Sequence, residues 1–365
     1  MIRELLEKRE LPELLRMNNG TPVTQENWEE RRQEIIELFG QHVFGIMPEI
    51  CGPTTWEEIV KEHDAEDTAC GIAYTRLVQI TFPTPDGESF TFPIRVTVPY
   101  SASASQPKAA FVLISFGQYK YYPLEELAEQ DVIVAEMIMN DVAPDAEDYY
   151  ANGMSPHYFK DGKRTPNGFG KIGMWAFAAS RVLDYLLAQD YVDASRVCVI
   201  GHSRLGKTAL WAGANDTRFT HIFANESGCM GASITRKKVG ETCPVIYRFP
   251  FWFCENMAEM ASSVATSESV PFDQHFLIAA SAPRKVYVSS AEEDKWADPV
   301  SEYLGCAAAS PAWEIHGMTG FVYEERLPEG WDEFHEGNIW YHQRPGTHFL
   351  SRHDWVRFCK FLKAF

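Results

Sequence analysis

The sequence predicts an α/β protein with a mainly parallel sheet and helices on both of its faces. Short apolar runs recur along the chain, amphipathic helical segments alternate with them, and a small-residue bend joins one run to the next helix near residue 203. The 365 residues are 45% hydrophobic and 23% charged, an ordinary globular composition that excludes disordered and collagen-like classes. Thirty-three basic residues against 51 acidic ones give a formal charge of −18, with no basic run to offset it. That balance predicts no nucleic-acid partner and no membrane partner.

The elements follow in order. Residues 1–50 form a charged N-terminal helical arm: Ile35, Ile36, Leu38 and Phe39 recur at helical spacing after Trp28, and Gly40 ends the run. Leu77 to Phe82 and Phe90 to Val98 flank Thr84-Pro85-Asp86-Gly87, a turn signal, and predict a hairpin at the sheet's edge. Ala109 to Ser115 and Asp131 to Met137 are continuous apolar runs of the kind that strands covered on both faces show. Ile172, Trp175, Ala176, Ala179, Val182, Leu183, Leu186 and Leu187 mark one face of a long helix. Strands at 196–200, 220–225, 285–291 and 339–343 follow, with helices at 204–214 and 351–362. Residues 228–284 break the alternation and are expected to form an insertion near the carboxyl end of the sheet, where ligands usually sit. The whole, 1–365, is expected to be one domain.

Eight cysteines with no C-x-x-C spacing predict buried free thiols rather than a disulfide scaffold. Met1 to Lys8 alternates charge with leucine and has no apolar signal core, so the expectation is a cytoplasmic protein, with secretion open if a leader precedes it.

Val197 to Thr208 fits two incompatible mechanisms. Gly201 to Thr208 matches G-x-x-x-x-G-K-T, the phosphate-cradling loop of nucleotide hydrolases. The same stretch is also a strand-to-helix elbow with Ser203 at its apex. Context favours the elbow. Several strands precede it, and the next strand leads to Asn225-Glu226 rather than to a magnesium-binding aspartate. Acids follow at Glu226 and in Glu292-Glu293-Asp294, and a histidine follows in Arg344-Pro345-Gly346-Thr347-His348, the order an α/β-hydrolase needs. A serine hydroxyl needs an imidazole to take its proton, and that imidazole needs a carboxylate to hold its tautomer. The oxyanion needs donors in place, here the Arg204 N–H with its guanidinium, and the loop Phe116-Gly117-Gln118.

These stretches resemble the glucuronoyl esterases of carbohydrate esterase family 15, chiefly the bacterial branch. The resemblance lies in Gly201-His202-Ser203-Arg204-Leu205-Gly206-Lys207, Asn225 to Cys229, Phe251 to Cys254, Asp273-Gln274-His275, Ala282-Pro283-Arg284 and Glu292 to Pro299. It implies an α/β-hydrolase fold and a carboxylic ester hydrolase that cleaves esters of glucuronic acid, with no metal and no organic cofactor. It further implies Ser203 as nucleophile, His348 as base, Arg204 as oxyanion stabiliser, and Glu226 as acid, with Asp294 at the more usual hydrolase position and Glu293 next. Lys207, Trp296, Arg248 and Gln118 become the expected substrate contacts, for a small-molecule or oligosaccharide uronate ester. His202 departs from the fungal members, which carry a disulfide-bonded cysteine there.

Each residue also has a plain structural role available. Ser203 could cap a helix, Lys207 could be solvated, Glu226 could pair with Arg236, and Trp296 could be core. His342 falls inside the last strand and His353 inside the last helix, which leaves His348 on a loop where a base belongs. Two other ester or sugar readings stay open: an acetyl xylan esterase on the same triad, and a non-catalytic carbohydrate-binding protein.

Overall fold

A computed structural model describes residues 1–60, 71–117 and 122–364. Its sheet is built from β1 (Thr55–Val60), β2 (Ala73–Pro83), β3 (Ser89–Pro99), β4 (Lys108–Ser115), β5 (Ile133–Ile138), β6 (Val192–His202), β7 (His221–Asn225), β8 (Lys285–Ala291), β9 (Asp332–Phe334) and β10 (Ile339–Arg344). The spatial order is β1-β2-β3-β5-β4-β6-β7-β8-β10-β9. From β5 to β10 the neighbours run parallel. The antiparallel hairpin β2–β3 joins β5, with β1 as the edge strand beyond it, and β9 closes the other edge.

Alternate residues of the central strands serve two cores, as the period of a strand requires. Ala110, Val112 and Ile114 of β4 face one layer with Val197, Val199, Ile222 and Val286. Phe111, Leu113, Cys198, Phe223 and Tyr287 face the other. Helices Lys171–Leu187, Arg204–Asn215 and Pro299–Ala309 cover the first face, while Arg352–Lys363 covers the second through Trp355, Phe358 and Phe361. Helices on both faces leave the strand ends as the place where side chains can meet solvent.

The N-terminal arm lies against this body. Its helix Ile2–Arg9 is tied down by Arg9 Nη1 on Ser301 Oγ (3.0 Å), and Trp28–Phe39 by Arg32 Nη1 on the Ala214 carbonyl (2.7 Å) and Trp28 Nε1 on the Ala282 carbonyl (3.3 Å). A π-helical turn, Gly40–Phe44, follows the second helix. Residues 228–284 hold only short helical turns, and from them Glu241 and Trp252 reach the carboxyl end of the sheet.

Two strands have no counterpart in the sequence reading. β1 is an edge strand whose Glu57 and Glu58 interrupt any apolar alternation, and β9 spans three residues. Six of the described cysteines are buried free thiols as expected, but Cys51 is exposed. Among the described residues no helix is long and apolar enough to cross a membrane.

Candidate active site

β6 ends at His202, and Ser203 turns the chain at φ 59°, ψ −127°, so that helix Arg204–Asn215 starts at the next residue. A non-glycine residue held there is strained, and it is kept in place by its surroundings. The Ser203 N–H donates to the Asn225 carbonyl on neighbouring β7 (2.9 Å), and its own carbonyl accepts from Gly206 N–H (2.9 Å). Glycine is required at 201, because a Cβ there would stand 2.0 Å from the Leu205 carbonyl oxygen. At Gly206 a Cβ would come within 3.0 Å of the Ser227 side chain.

His348 stands on the loop that follows β10. Its ring lies 4.4 Å, centroid to centroid, from that of His202, the residue just before Ser203. Two carboxylates face one nitrogen of His348: Nδ1 donates to Asp294 Oδ2 at 2.6 Å and lies 3.1 Å from Glu226 Oε2. Two acceptors there put the hydrogen on Nδ1 and leave Nε2 with the lone pair a base needs. Burial lowers the His348 pKa, but the hydrogen bonds to Asp294 and Glu226 outweigh it and raise it to about 9. Burial raises Asp294, yet the bond to His348 holds it below the ordinary carboxylate range. Burial pushes Glu226 up, to about 8, against the pull of His348 and Arg344.

Glu226 does not pair with Arg236, which is bound to Asp273 instead. Its Oε1 accepts from Arg344 Nη2 (2.6 Å) and its Oε2 from the Phe349 N–H (2.9 Å). Glu293, the other acid considered, is exposed. His202 is buried, and its Nδ1 meets Asn225 Oδ1 at 2.6 Å. Burial and the neighbouring His348 lower its pKa to about 3, so it stays neutral. His342 is bound inside the fold by Asp354 (2.8 Å) and Tyr287 (2.9 Å), as a strand histidine should be.

The Arg204 guanidinium is clamped on one side of this cluster. It sits 4.6 Å from the Trp252 ring and 5.4 Å from that of Phe116, and Nη1 binds Asp145. The second Asp145 oxygen accepts from Trp252 Nε1 at 2.6 Å. Of the loop expected to give a second oxyanion donor, the Gly117 N–H is already donated to Ser115 Oγ (2.9 Å). Gln118 lies outside the described residues.

Lys207 and Trp296 converge on a residue the sequence reading missed. Glu241 Oε2 is 3.3 Å from Lys207 Nζ, and its Oε1 accepts from Trp296 Nε1 at 3.2 Å. Lys207 is buried and also donates to the Ser227 carbonyl (2.7 Å), whereas Trp296 is 44% exposed and so is not core. Arg248 is exposed, with its guanidinium 5.5 Å from the Trp296 ring.

The phosphate-loop reading fails on the same contacts. Its lysine is bound to Ser227 and Glu241, and its threonine, Thr208, is buried and donates to the Arg204 carbonyl (3.0 Å). Neither side chain that would contact the phosphates or their magnesium is presented to the elbow's mouth as that loop requires: the lysine is turned onto Ser227 and Glu241, and the threonine hydroxyl is spent on its own helix. His202, Glu226 and His348 do place one ligand atom each within 4.8 Å of one another, the spacing of a metal site. Glu226, however, already accepts from Arg344, and a second cation there would face the guanidinium. The donor set suits proton transfer better than a metal.

Asp145, Glu241, Trp252 and Arg344 are the site residues missed from sequence. Trp252 lay within the quoted Phe251 to Cys254 stretch, and Arg344 opens the turn that carries His348, so those two had a local signal. Asp145 and Glu241 stand in loops with no motif around them.

A family model described as glucuronyl esterase, fungi, matches residues 82–317. Carbohydrate esterase MZ0003, from an unknown prokaryotic organism, is 33% identical over 96% of this chain and 88% of its own length. A 4-O-methyl-glucuronoyl methylesterase of Phanerochaete carnosa is 25% identical over 86% of this chain and 74% of its own. Among solved structures, a glucuronoyl esterase from Solibacter usitatus superposes with a TM-score of 0.86 at 32% identity, covering 97% of both chains. The elbow, the shared histidine and these matches agree: the chain belongs to the glucuronoyl esterase family, carbohydrate esterase family 15, of the α/β-hydrolase fold.

Proposed function

We propose that this carboxylic ester hydrolase cleaves esters of glucuronic acid through an acyl-enzyme on Ser203. Its substrate is a small uronate ester or the same group on an oligosaccharide. The observation that carries the reading is the pair of carboxylates on His348 Nδ1, beside the elbow that presents Ser203.

His348 Nε2 takes the Ser203 hydroxyl proton as Oγ attacks the ester carbonyl carbon. The carbonyl π electrons move onto oxygen, where the Arg204 N–H and guanidinium offset the new charge. Collapse of the tetrahedral intermediate breaks the bond to the alcohol oxygen, which receives the proton from His348. Water then repeats the sequence on the uronoyl-serine: His348 accepts its proton, the acyl–Oγ bond breaks, and Oγ is protonated again as glucuronate leaves. Asp294 and Glu226 hold the imidazolium that forms at each step.

Lys207, Glu241 and Trp296 supply the sugar contacts. A cation and a carboxylate side by side suit hydroxyl groups, and a half-exposed indole offers a flat face to a pyranose ring. Arg248 borders that face. The test is a substrate panel. Wild type is expected to hydrolyse methyl and benzyl glucuronate, and Ser203→Ala to lose that hydrolysis with its circular dichroism unchanged. Turnover confined to acetylated xylan would assign the triad to an acetyl esterase instead, and full activity in Ser203→Ala would end the proposal. Uronate binding without turnover in wild type would make the chain a lectin-like protein.

A further inference from the structure

One side chain touches both Glu226 and the backbone on either side of His348. Arg344, the last residue of β10, is buried, and its guanidinium spends its donors in two directions. Nη2 donates to Glu226 Oε1 (2.6 Å), to the Thr347 carbonyl (3.0 Å) and to the Phe349 carbonyl, while Nη1 donates to the Pro345 carbonyl (3.0 Å). Those carbonyls flank His348 on both sides. Nε points the other way and donates to Asp354 Oδ2 at 3.1 Å.

Asp354 is itself fixed from several sides. Its Oδ2 accepts from the Ser351 N–H (2.7 Å) and hydroxyl (2.6 Å), closing a capping box on helix Arg352–Lys363. Its Oδ1 meets His342 Nε2 at 2.8 Å, and His342 Nδ1 meets the Tyr287 hydroxyl at 2.9 Å. Burial raises Asp354, but His342 and Arg344 together hold its pKa down at about 2. The guanidinium Nε therefore rests on a buried carboxylate that Ser351 and His342 also hold.

We propose that Arg344 is a positioning residue for the reaction: by bridging Asp354 and Glu226 while gathering the carbonyls around His348, it sets both the orientation of the base and the charge of Glu226. This rests on Ser203 and His348 acting as nucleophile and base. Asp354 and Glu226 would otherwise be two carboxylates buried near one another, and one guanidinium between them supplies the opposite charge and the hydrogen bonds that burial demands. A lysine has one nitrogen and cannot span both carboxylates and three carbonyls.

The test compares Arg344→Lys, Glu226→Gln and the double variant on benzyl glucuronate, with kcat, KM and the pH profile of kcat/KM. The charged and titratable groups facing His348 are Asp294 and Glu226 on Nδ1, His202 on its ring face, and Arg344 with Asp354 behind Glu226. Glu302, on the helix behind Asp294, adds one more acid. Arg344→Lys is expected to lower kcat by roughly 10- to 100-fold with KM nearly unchanged, since misplacement by about 1 Å suffices for that. Its acidic limb should move to lower pH, as in Glu226→Gln, and the double variant should move it no further. A limb that stays at the wild-type position in folded Arg344→Lys, or shifts that simply add in the double variant, would overturn the proposal. Asp354→Asn gives a second route if Arg344→Lys does not fold: a fall in kcat with KM nearly unchanged supports the bridge, and a wild-type kcat contradicts it. Loss of activity in Ser203→Ala, run alongside, separates a failure of the Arg344 proposal from a failure of the triad.

Discussion

Asp294 and Glu226 share a single hydrogen of His348, at 2.6 Å and 3.1 Å from the same Nδ1. They come from the ends of neighbouring strands, β8 and β7, and approach from different surroundings. Among the described residues Asp294 accepts otherwise only from the Ala297 N–H (3.1 Å), while Glu226 is occupied by Arg344 and Phe349. The closer and less engaged carboxylate is therefore the stronger support for the imidazolium.

Asp294→Asn is accordingly expected to lose more activity than Glu226→Gln, but each only in part. Losses of about 10- to 100-fold in kcat are expected, short of the roughly 10⁴-fold drop where a triad has one acid. Steady-state kinetics on benzyl glucuronate measures this. Complete loss from one variant and none from the other would reject the sharing.

The pH dependence has a definite sign. The proposed base, His348, can accept a proton only when neutral, and its pKa is raised to about 9 by its two carboxylates. The acidic limb of kcat/KM should thus lie above the ordinary histidine value, with activity rising as pH increases through it. Removing either carboxylate removes a partner of the imidazolium and should move the limb to lower pH. A limb below 6.5 in wild type, the unperturbed histidine value, would contradict the assignment.

Asp145 binds the guanidinium of Arg204, the proposed oxyanion donor, and the Trp252 indole. Asp145→Asn keeps the shape but removes the charge opposite Arg204, and kcat should fall by about tenfold with KM little changed. Arg204→Met should cost more, approaching the 100-fold typical of a lost oxyanion donor. Equal rates in wild type and Asp145→Asn would mean that the Trp252 and Phe116 rings hold the guanidinium unaided.

Lys207→Met should act on binding. Because its ammonium pairs with Glu241, whose other oxygen accepts from Trp296, KM for glucuronate esters should rise by about tenfold. Activity on p-nitrophenyl acetate, which has no sugar, should change little. Comparable losses on both substrates would place Lys207 in folding instead.

Gly201→Ala tests the elbow itself. The added methyl would stand 2.0 Å from a backbone oxygen, so neither neighbour can yield by a rotamer change. A loss of about 3 kcal/mol in denaturant unfolding is expected, with activity falling in step.

Much of this was legible because it is local. The elbow reads from consecutive residues 197–208, and the order serine, acid, histidine reads from one pass along the chain. Strands such as β4, buried along most of its length, and the helix Lys171–Leu187 announce themselves by continuous or periodic apolar residues. What stayed hidden depends on long-range meetings. Asp145 lies 59 residues before its partner Arg204, and Arg344 lies 118 after Glu226, with no motif to link them. That two acids reach one nitrogen, rather than competing for the role, depends on side-chain reach from β7 and β8, which spacing along a chain does not encode.

The most direct measurement is covalent labelling with a serine-directed fluorophosphonate followed by peptide mass spectrometry. One label is expected, on the peptide that contains Ser203, and it should be lost in folded His348→Ala because the hydroxyl then keeps its proton. A label on a different residue, or undiminished labelling of Ser203 without His348, would contradict the nucleophile–base pair.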